Sequence, residues 1–138
     1  MSDVERLSIS IEKPLLARLE RMVKESRYTN RSEFIRDLIR GRLVEREWER
    51  DEEALGTITV IYNHHVRGLS ERLTDLQHDY HGAILATTHV NLDHDRCSEM
   101  IMVRGKAKFI RVLADRIAGE KGVLHSALAI SSTGMRLA

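Results

Sequence analysis

Residues 6–11 read Arg-Leu-Ser-Ile-Ser-Ile, a strict alternation of polar and apolar side chains. A period of two predicts a half-buried strand, with Arg6, Ser8 and Ser10 on its polar face. A lone strand leaves its backbone N–H and C=O groups unpaired, which is unfavourable unless a second strand completes the ladder. The stretch therefore predicts that two chains pair these strands antiparallel, as a two-stranded ribbon.

Two helices follow this strand. Pro14 suits the first turn of a helix, because its missing N–H is not needed there. Asn30 followed by Glu33 resembles a capping box, which starts a second helix. Each helix carries an apolar stripe: Leu15, Leu16, Leu19, Met22 and Val23 in the first, and Phe34, Ile35, Leu38, Ile39 and Leu43 in the second. A β-α-α module of about 45 residues cannot bury a core alone, so we expect two copies to interlock.

The polar face of such a ribbon fits the major groove of B-DNA. An arginine such as Arg6 can donate twice to guanine, and short hydroxyls such as Ser8 and Ser10 can bond either kind of base. The start of the second helix, at Asn30, Arg31 and Ser32, offers free N–H groups to a phosphate. The alternative is that these residues form only the solvent face of an amphipathic strand.

The rest of the chain predicts a second domain with the order β-α-β-β-α-β. The predicted elements are a strand over 57–63, a helix over 67–79, strands over 83–93 and 97–103, a helix ending at Gly119 or Gly122, and a strand over 123–131. This order is typical of the ferredoxin-like arrangement, an antiparallel sheet with two helices on one face. The predicted fold class is therefore α+β.

We place the domain boundaries by the change from helical to strand-like periodicity. The predicted domains are 1–48 and 57–132, with a linker over 49–56 and a tail over 133–138. The mixed charge run over 45–53 is predicted to be a solvated helix end that leads into the linker.

The composition is that of a globular protein, with 42% hydrophobic and 31% charged residues among 138. No apolar run approaches the roughly 20 residues needed to span a membrane, and we expect no signal peptide. One cysteine excludes an internal disulfide and favours a cytoplasmic location.

Six of the seven histidines lie between positions 64 and 94, close to the single cysteine, Cys97. A hairpin turn over 93–96 would place Cys97 opposite His89 and Asn91 on the neighbouring strand. Imidazole and thiolate are ligands that late first-row metals prefer, and His78 is available as a third donor. The alternative is that Cys97 is a small buried hydrophobe and that the histidines are ordinary surface residues.

Taken together, these segments resemble the nickel-responsive NikR repressors. The matching stretches are 6–10, 28–33 with 35–37, 77–78, 86–90 and 93–99. The resemblance implies a ribbon-helix-helix DNA-binding domain followed by a ferredoxin-like, ACT-type regulatory domain. It also implies a homotetramer, a dimer of dimers that binds nickel and operator DNA and represses nickel-uptake genes.

The resemblance also implies roles for single residues. His89 and Cys97 match nickel ligands of one subunit, and His78 matches the ligand from a second subunit. Glu99 matches a residue that supports the site by hydrogen bonding. The other matches are Arg6, Ser8 and Ser10 with base-reading positions, and Glu33 and Asp37 with carboxylates that help to hold a second cation between the two domains.

One position departs from the family pattern. The family has His-x-His on the ligand strand, whereas this chain has His89-Val90-Asn91. An amide is a weak oxygen donor that suits harder cations, so selectivity for Ni²⁺ is in doubt, and water or His94 is a candidate substitute. The alternative function is a ribbon-helix-helix regulator that responds to another metal or a small molecule. An enzyme is not expected, because the chain has no paired carboxylates, nucleophile–base set or phosphate loop.

Overall fold

The computed structural model describes residues 3–138 of the chain. Its elements are α1 (Lys13–Glu25), α2 (Arg31–Glu49), β1 (Glu53–Asn63), α3 (Leu69–Asp79), β2 (Ile84–Asn91), β3 (Arg96–Lys106), α4 (Ala107–Ala118) and β4 (Val123–Ser131). The chain forms two compact units, one through Gly41 and the other over Arg42–Ala138. The boundary between them falls within α2.

The first unit contains the predicted helices. Pro14 lies in the first turn of α1, as predicted. The Oδ1 atom of Asn30 accepts a hydrogen bond from the N–H of Glu33 at 3.0 Å, which confirms the cap of α2. Only half of the capping box forms, because the Glu33 carboxylate instead accepts a bond from the Thr29 hydroxyl at 3.3 Å.

Residues 3–12 lie outside the helices and strands of the single chain. The strand predicted over 6–11 is therefore absent from the isolated chain, and Leu7 of its apolar face is 81% exposed. The physical reason is that a strand requires a hydrogen-bonded neighbour, and the neighbour predicted here belongs to a second chain.

The second unit is built on an antiparallel sheet with strand order β2-β3-β1-β4. This order and the two helices α3 and α4 confirm the α+β, ferredoxin-like class. Alternate residues of β1 are buried, and their partners on β3 are buried on the same face. The core comprises this face and the apolar stripes of the helices, with Ile58, Val60, Tyr62, Leu69, Leu73, Cys97, Ile101, Val103, Ile110, Leu113 and Ile117 fully buried.

The segment over 49–56 differs from the predicted linker. It comprises the end of α2, a turn at Asp51, and the first residues of β1, which begins at Glu53 rather than residue 57. In the turn, Asp51 adopts a positive φ of 54° and its Oδ1 accepts a bond from the N–H of Lys108 at 2.8 Å. Ala54 and Gly56 continue the buried face of β1. Because these side chains are small, the alternation of large apolar residues does not extend to them, and the sequence predicted a later start for the strand.

Trp48 explains why the charged run over 45–53 is not simply solvated. Its side chain is 4% exposed, and the indole N–H donates to the carbonyl of Ser131 at 2.9 Å. A Cβ added at Gly56 would lie 2.9 Å from Ile110 and 3.3 Å from the Trp48 ring. Trp48 therefore packs in the core of the second unit, and Gly56 leaves the space that its ring needs.

Candidate metal centre and nucleic-acid interface

The hairpin formed by β2 and β3 brings the predicted metal ligands together. Asn91 pairs with Cys97, and His89 pairs with Glu99. Directly paired residues of neighbouring strands lie on the same face of a sheet. These four residues therefore share the face on which the core packs, as the sequence predicts for His89, Asn91 and Cys97.

Cys97 lies at the buried end of this arrangement. Its thiol is fully buried and lies 3.7 Å from the carbonyl oxygen of Tyr62. The neighbouring Asn91 and His89 are exposed at the edge strand β2. A metal ion held by Cys97 and His89 would thus lie at the margin of the core, with open coordination positions toward the outside.

Glu99 organises the polar groups around His89. Its carboxylate, 8% exposed, accepts hydrogen bonds from the Tyr62 hydroxyl at 2.7 Å and from the Gln77 side-chain amide at 2.8 Å. The Nδ1 atom of His89 lies 3.3 Å from the same carboxylate. A protonated Nδ1 that donates to Glu99 leaves Nε2 free to bind a metal.

Burial raises the pKa of Tyr62, and its hydrogen bond to Glu99 raises it further. Tyr62 therefore remains a protonated donor to Glu99 at neutral pH. We did not identify Tyr62 or Gln77 as site residues from the sequence. Tyr62 pairs with Cys97 across β1 and β3, which are distant in sequence, so no local pattern signals its role.

The remaining candidate donors lie apart from this cluster. His78 lies in the last turn of α3, where its ring stacks on His81 with centroids 5.7 Å apart. His94 lies in the hairpin turn, 87% exposed, with its Nδ1 3.2 Å from Asp95. Among residues 3–138, one group of three His, Cys, Asp or Glu side chains has ligand atoms that all lie within 4.8 Å of one another. That group does not include Cys97.

The donors present nevertheless fit a late transition metal. A thiol and an imidazole that is oriented by a buried carboxylate form half of a soft coordination sphere. In the part of the chain that the structure describes, no group of three such ligand atoms includes Cys97, so the remaining coordination positions are open.

Glu33 and Asp37 lie one turn apart on α2. Asp37 accepts bonds from the Tyr28 hydroxyl at 2.5 Å and from Arg40 at 3.0 Å. The Tyr28 bond, more than the Arg40 bond, lowers the pKa of Asp37, so this carboxylate is ionised at neutral pH. Both carboxylates are exposed enough to accept a cation as well.

The predicted DNA-contacting residues are exposed. Arg6, Ser8 and Ser10 lie in the segment before α1. At the start of α2, Asn30 caps the helix and Arg31 lies 3.4 Å from Glu20, while Ser32 is exposed. Across residues 3–138, the structure has no helix with the length and apolarity to cross a membrane.

Comparison with known proteins links both units to described families. Residues 55–131 match the model of the NikR C-terminal nickel-binding domain. Residues 5–46 match the model of the CopG-type ribbon-helix-helix proteins.

Full-length relatives show the same likeness. Proteins of Solibacter usitatus and Geobacter metallireducens, both assigned as nickel-responsive regulators, are each 46% identical over 99% of this chain and 99% of their own length. An uncharacterized protein of Thermotoga maritima has a similar fold, with a TM-score of 0.52 and 12% identity over 57% of this chain and 98% of its own.

Proposed function

This chain belongs to the NikR family of nickel-responsive transcriptional regulators, and we propose that it binds operator DNA when nickel is bound and so represses metal-uptake genes. The observation that carries the proposal is that His89 and Cys97 lie on the same face of one hairpin, with Glu99 orienting the imidazole. The family comprises regulators, which agrees with the expectation that the chain is not an enzyme.

We assign the nickel ligands to His89 and Cys97 of one subunit and His78 of a second. When bound, the metal would link two subunits, because one chain supplies only part of the coordination sphere. The fourth position falls to the Asn91 amide, to water or to His94. The softer donors still favour late transition metals, whereas Asn91 reduces the preference for planar Ni²⁺.

The exposed apolar surfaces of both units support a tetramer. Within residues 3–41 no side chain is buried, so the first unit has no core unless a second copy covers it. The strands of the second unit, and Leu92 directly after β2, also expose large apolar side chains; those of the strands are Leu85, Val90, Met100, Met102, Leu124 and Ile130. Two separate apolar surfaces allow two interfaces, which together give a dimer of dimers.

We place Arg6, Ser8 and Ser10 against base edges, and Asn30, Arg31 and Ser32 against the phosphate backbone. The domains we propose are residues 1–48 for DNA binding and 57–132 for metal sensing and tetramer formation, with a tail over 133–138. The linker over 49–56 then comprises the last residue of α2, the turn at Asp51 and the first residues of β1. Operator DNA as the partner implies a cytoplasmic location.

The coupling between metal and DNA is a linkage. Nickel must bind the arrangement that fits two operator half-sites better than the other arrangements, or its binding shifts nothing. We assign a second cation to Glu33 and Asp37, whose exposed carboxylates lie one turn apart on α2.

The first test measures nickel-dependent DNA binding by the full-length protein. A duplex selected from a random pool in the presence of nickel should bind more tightly with nickel than with a chelator. Cys97→Ala should abolish this difference, whereas His125→Ala should preserve it, because His125 lies on β4 rather than on the ligand hairpin. Equal binding with nickel and with chelator would refute the proposal.

The second test concerns base reading. Arg6→Ala should cost about 1–3 kcal/mol of discrimination for the selected duplex, if Arg6 makes a bidentate guanine contact. The far-ultraviolet circular dichroism should stay unchanged. Undiminished affinity and selectivity would show that the ribbon does not read the bases through Arg6.

Asn91 favours a second candidate, a ribbon-helix-helix regulator that responds to another metal or to a small molecule. The same selection with cobalt, zinc or no metal separates the candidates. DNA binding that needs zinc or cobalt but not nickel would favour the second candidate.

A further inference from the structure

The turn between β2 and β3 carries a second group of metal-ligating side chains. The Oδ1 atom of Asp95 lies 3.3 Å from Nε2 of His65 and 3.2 Å from Nδ1 of His94. One ligand atom from each of these residues lies within 4.8 Å of the others. Two imidazoles and a carboxylate therefore converge on one point of the surface.

The spacing of these atoms is that of ligands around one ion. Nitrogen and oxygen ligands at about 2.0–2.2 Å from a four-coordinate metal lie roughly 3–3.5 Å from one another. Both distances to Asp95 fall within that range. The alternative is a pair of His–Asp hydrogen bonds, in which an N–H of each ring donates to the carboxylate, whereas a metal binds the nitrogen that carries no proton.

Hydrogen bonds from backbone and side chains hold this turn in place in the absence of a metal. Asp93 accepts bonds from the N–H groups of Asp95 at 3.0 Å and Arg96 at 2.7 Å. His64 bonds the turn from the end of β1: its N–H donates to the carbonyl of Asp95 at 3.0 Å, and its Nε2 lies 2.6 Å from the carbonyl of His94. A metal would therefore find two of its ligands on a preformed turn, which lowers the entropic cost of binding.

We propose that His65, His94 and Asp95 form a surface site for a divalent late transition cation, with His64 as a positioning residue. Two imidazoles and one carboxylate suit zinc, copper or nickel. All three ligands are exposed, so water completes the coordination sphere. The site is distinct from the one at buried Cys97, where the fourth position then falls to Asn91 or water, and it lies within a single chain. The inference does not rest on the proposed regulatory function.

The test uses zinc chloride and isothermal titration of the full-length protein. The His89→Ala/Cys97→Ala variant removes the buried donors and should still bind one zinc per chain. Adding His65→Ala and His94→Ala should weaken that binding at least about tenfold, on the scale of lost ligands. Adding His125→Ala instead is the matched control, and it should leave the affinity unchanged.

If the His89→Ala/Cys97→Ala variant does not fold, the same measurement is made on the otherwise unchanged protein. There, His65→Ala/His94→Ala should remove one bound zinc per chain. Asp95→Asn should weaken the same zinc several-fold while the circular dichroism stays the same. Zinc binding that is unaffected by both changes, or equally reduced by His125→Ala, would overturn the inference. Loss of nickel-dependent DNA binding in His89→Ala/Cys97→Ala alone concerns the regulatory function and leaves this site untouched.

Discussion

At the scale of single residues, Asn91 is the position that most affects the chemistry of the buried site. It pairs with Cys97, so a side chain at this position lies beside the thiol. Asn91→His would restore two imidazoles at i and i+2 on one face of the strand. We expect nickel to bind at least about tenfold more tightly, with the absorption of a planar nickel–thiolate centre. A parent protein that already shows this spectrum would mean that another donor holds the fourth position.

A second single residue, Glu99, affects nickel binding by orienting His89 rather than by binding the metal itself. Glu99→Gln keeps the size of the side chain but removes the charge that orients the imidazole, so nickel affinity should fall about 10–100-fold. Competition with a chelator measures the change. Glu53→Gln is the matched control: it removes an exposed ion pair of 3.0 Å with Arg104 on the same sheet and should leave nickel affinity unchanged. Equal losses in both variants would show that Glu99 has only a structural role.

At the scale of elements, the hairpin turn depends on one ionised carboxylate. Hydrogen bonds from the Arg96 side chain and from backbone N–H groups lower the pKa of Asp93 to about 2, from an ordinary 3.8. Because the folded pKa is depressed, Asp93 stabilises the turn above about pH 4 and loses this effect as pH falls toward 2. Carbon-13 NMR of the metal-free protein should show Asp93 ionised at pH 3.8, where an ordinary aspartate is half protonated. Arg96→Gln should raise the midpoint, and an unchanged midpoint would contradict the assignment.

The elements also show what local pattern can and cannot predict. Periodicity placed the four helices and the first strand of the sheet, and a β-rich composition placed β2 and β3 on either side of the predicted turn. The bounds of β4 match the prediction, and α4 ends at Ala118, before the first of the two predicted glycines. The predicted start of β1 was wrong, because the small residues Ala54 and Gly56 do not form a clear apolar alternation. The burial of Trp48 was also missed, because it lies among charged residues and depends on tertiary packing.

In the candidate metal site, too, local features could be predicted and long-range contacts could not. The ligand strand and the turn could be predicted from spacing, because hairpin register is local. The roles of Tyr62 and Gln77 could not, since both reach Glu99 from elements distant in sequence. The cluster of His65 with Asp95 likewise depends on β1 and the turn meeting in space. Contacts of this kind follow from the fold and leave no local signature.

At the scale of the whole molecule, the alternation over residues 6–11 allows a matched test of assembly. Ile9 lies on the apolar face that we expect a second chain to bury, whereas the adjacent Ser8 lies on the DNA-reading face. The parent should sediment at about four times the 15.9 kDa of one chain. Ile9→Asp would bury an unpaired charge in the ribbon, which is costly, so the mass should fall to about half in analytical ultracentrifugation at micromolar concentration. Ser8→Asp adds the same charge one residue away and should leave the tetramer intact while weakening DNA binding by repulsion from phosphate. If both variants stay tetrameric, or if the parent is a monomer, then residues 6–11 do not pair between chains and the nucleic-acid interface proposed on them is wrong.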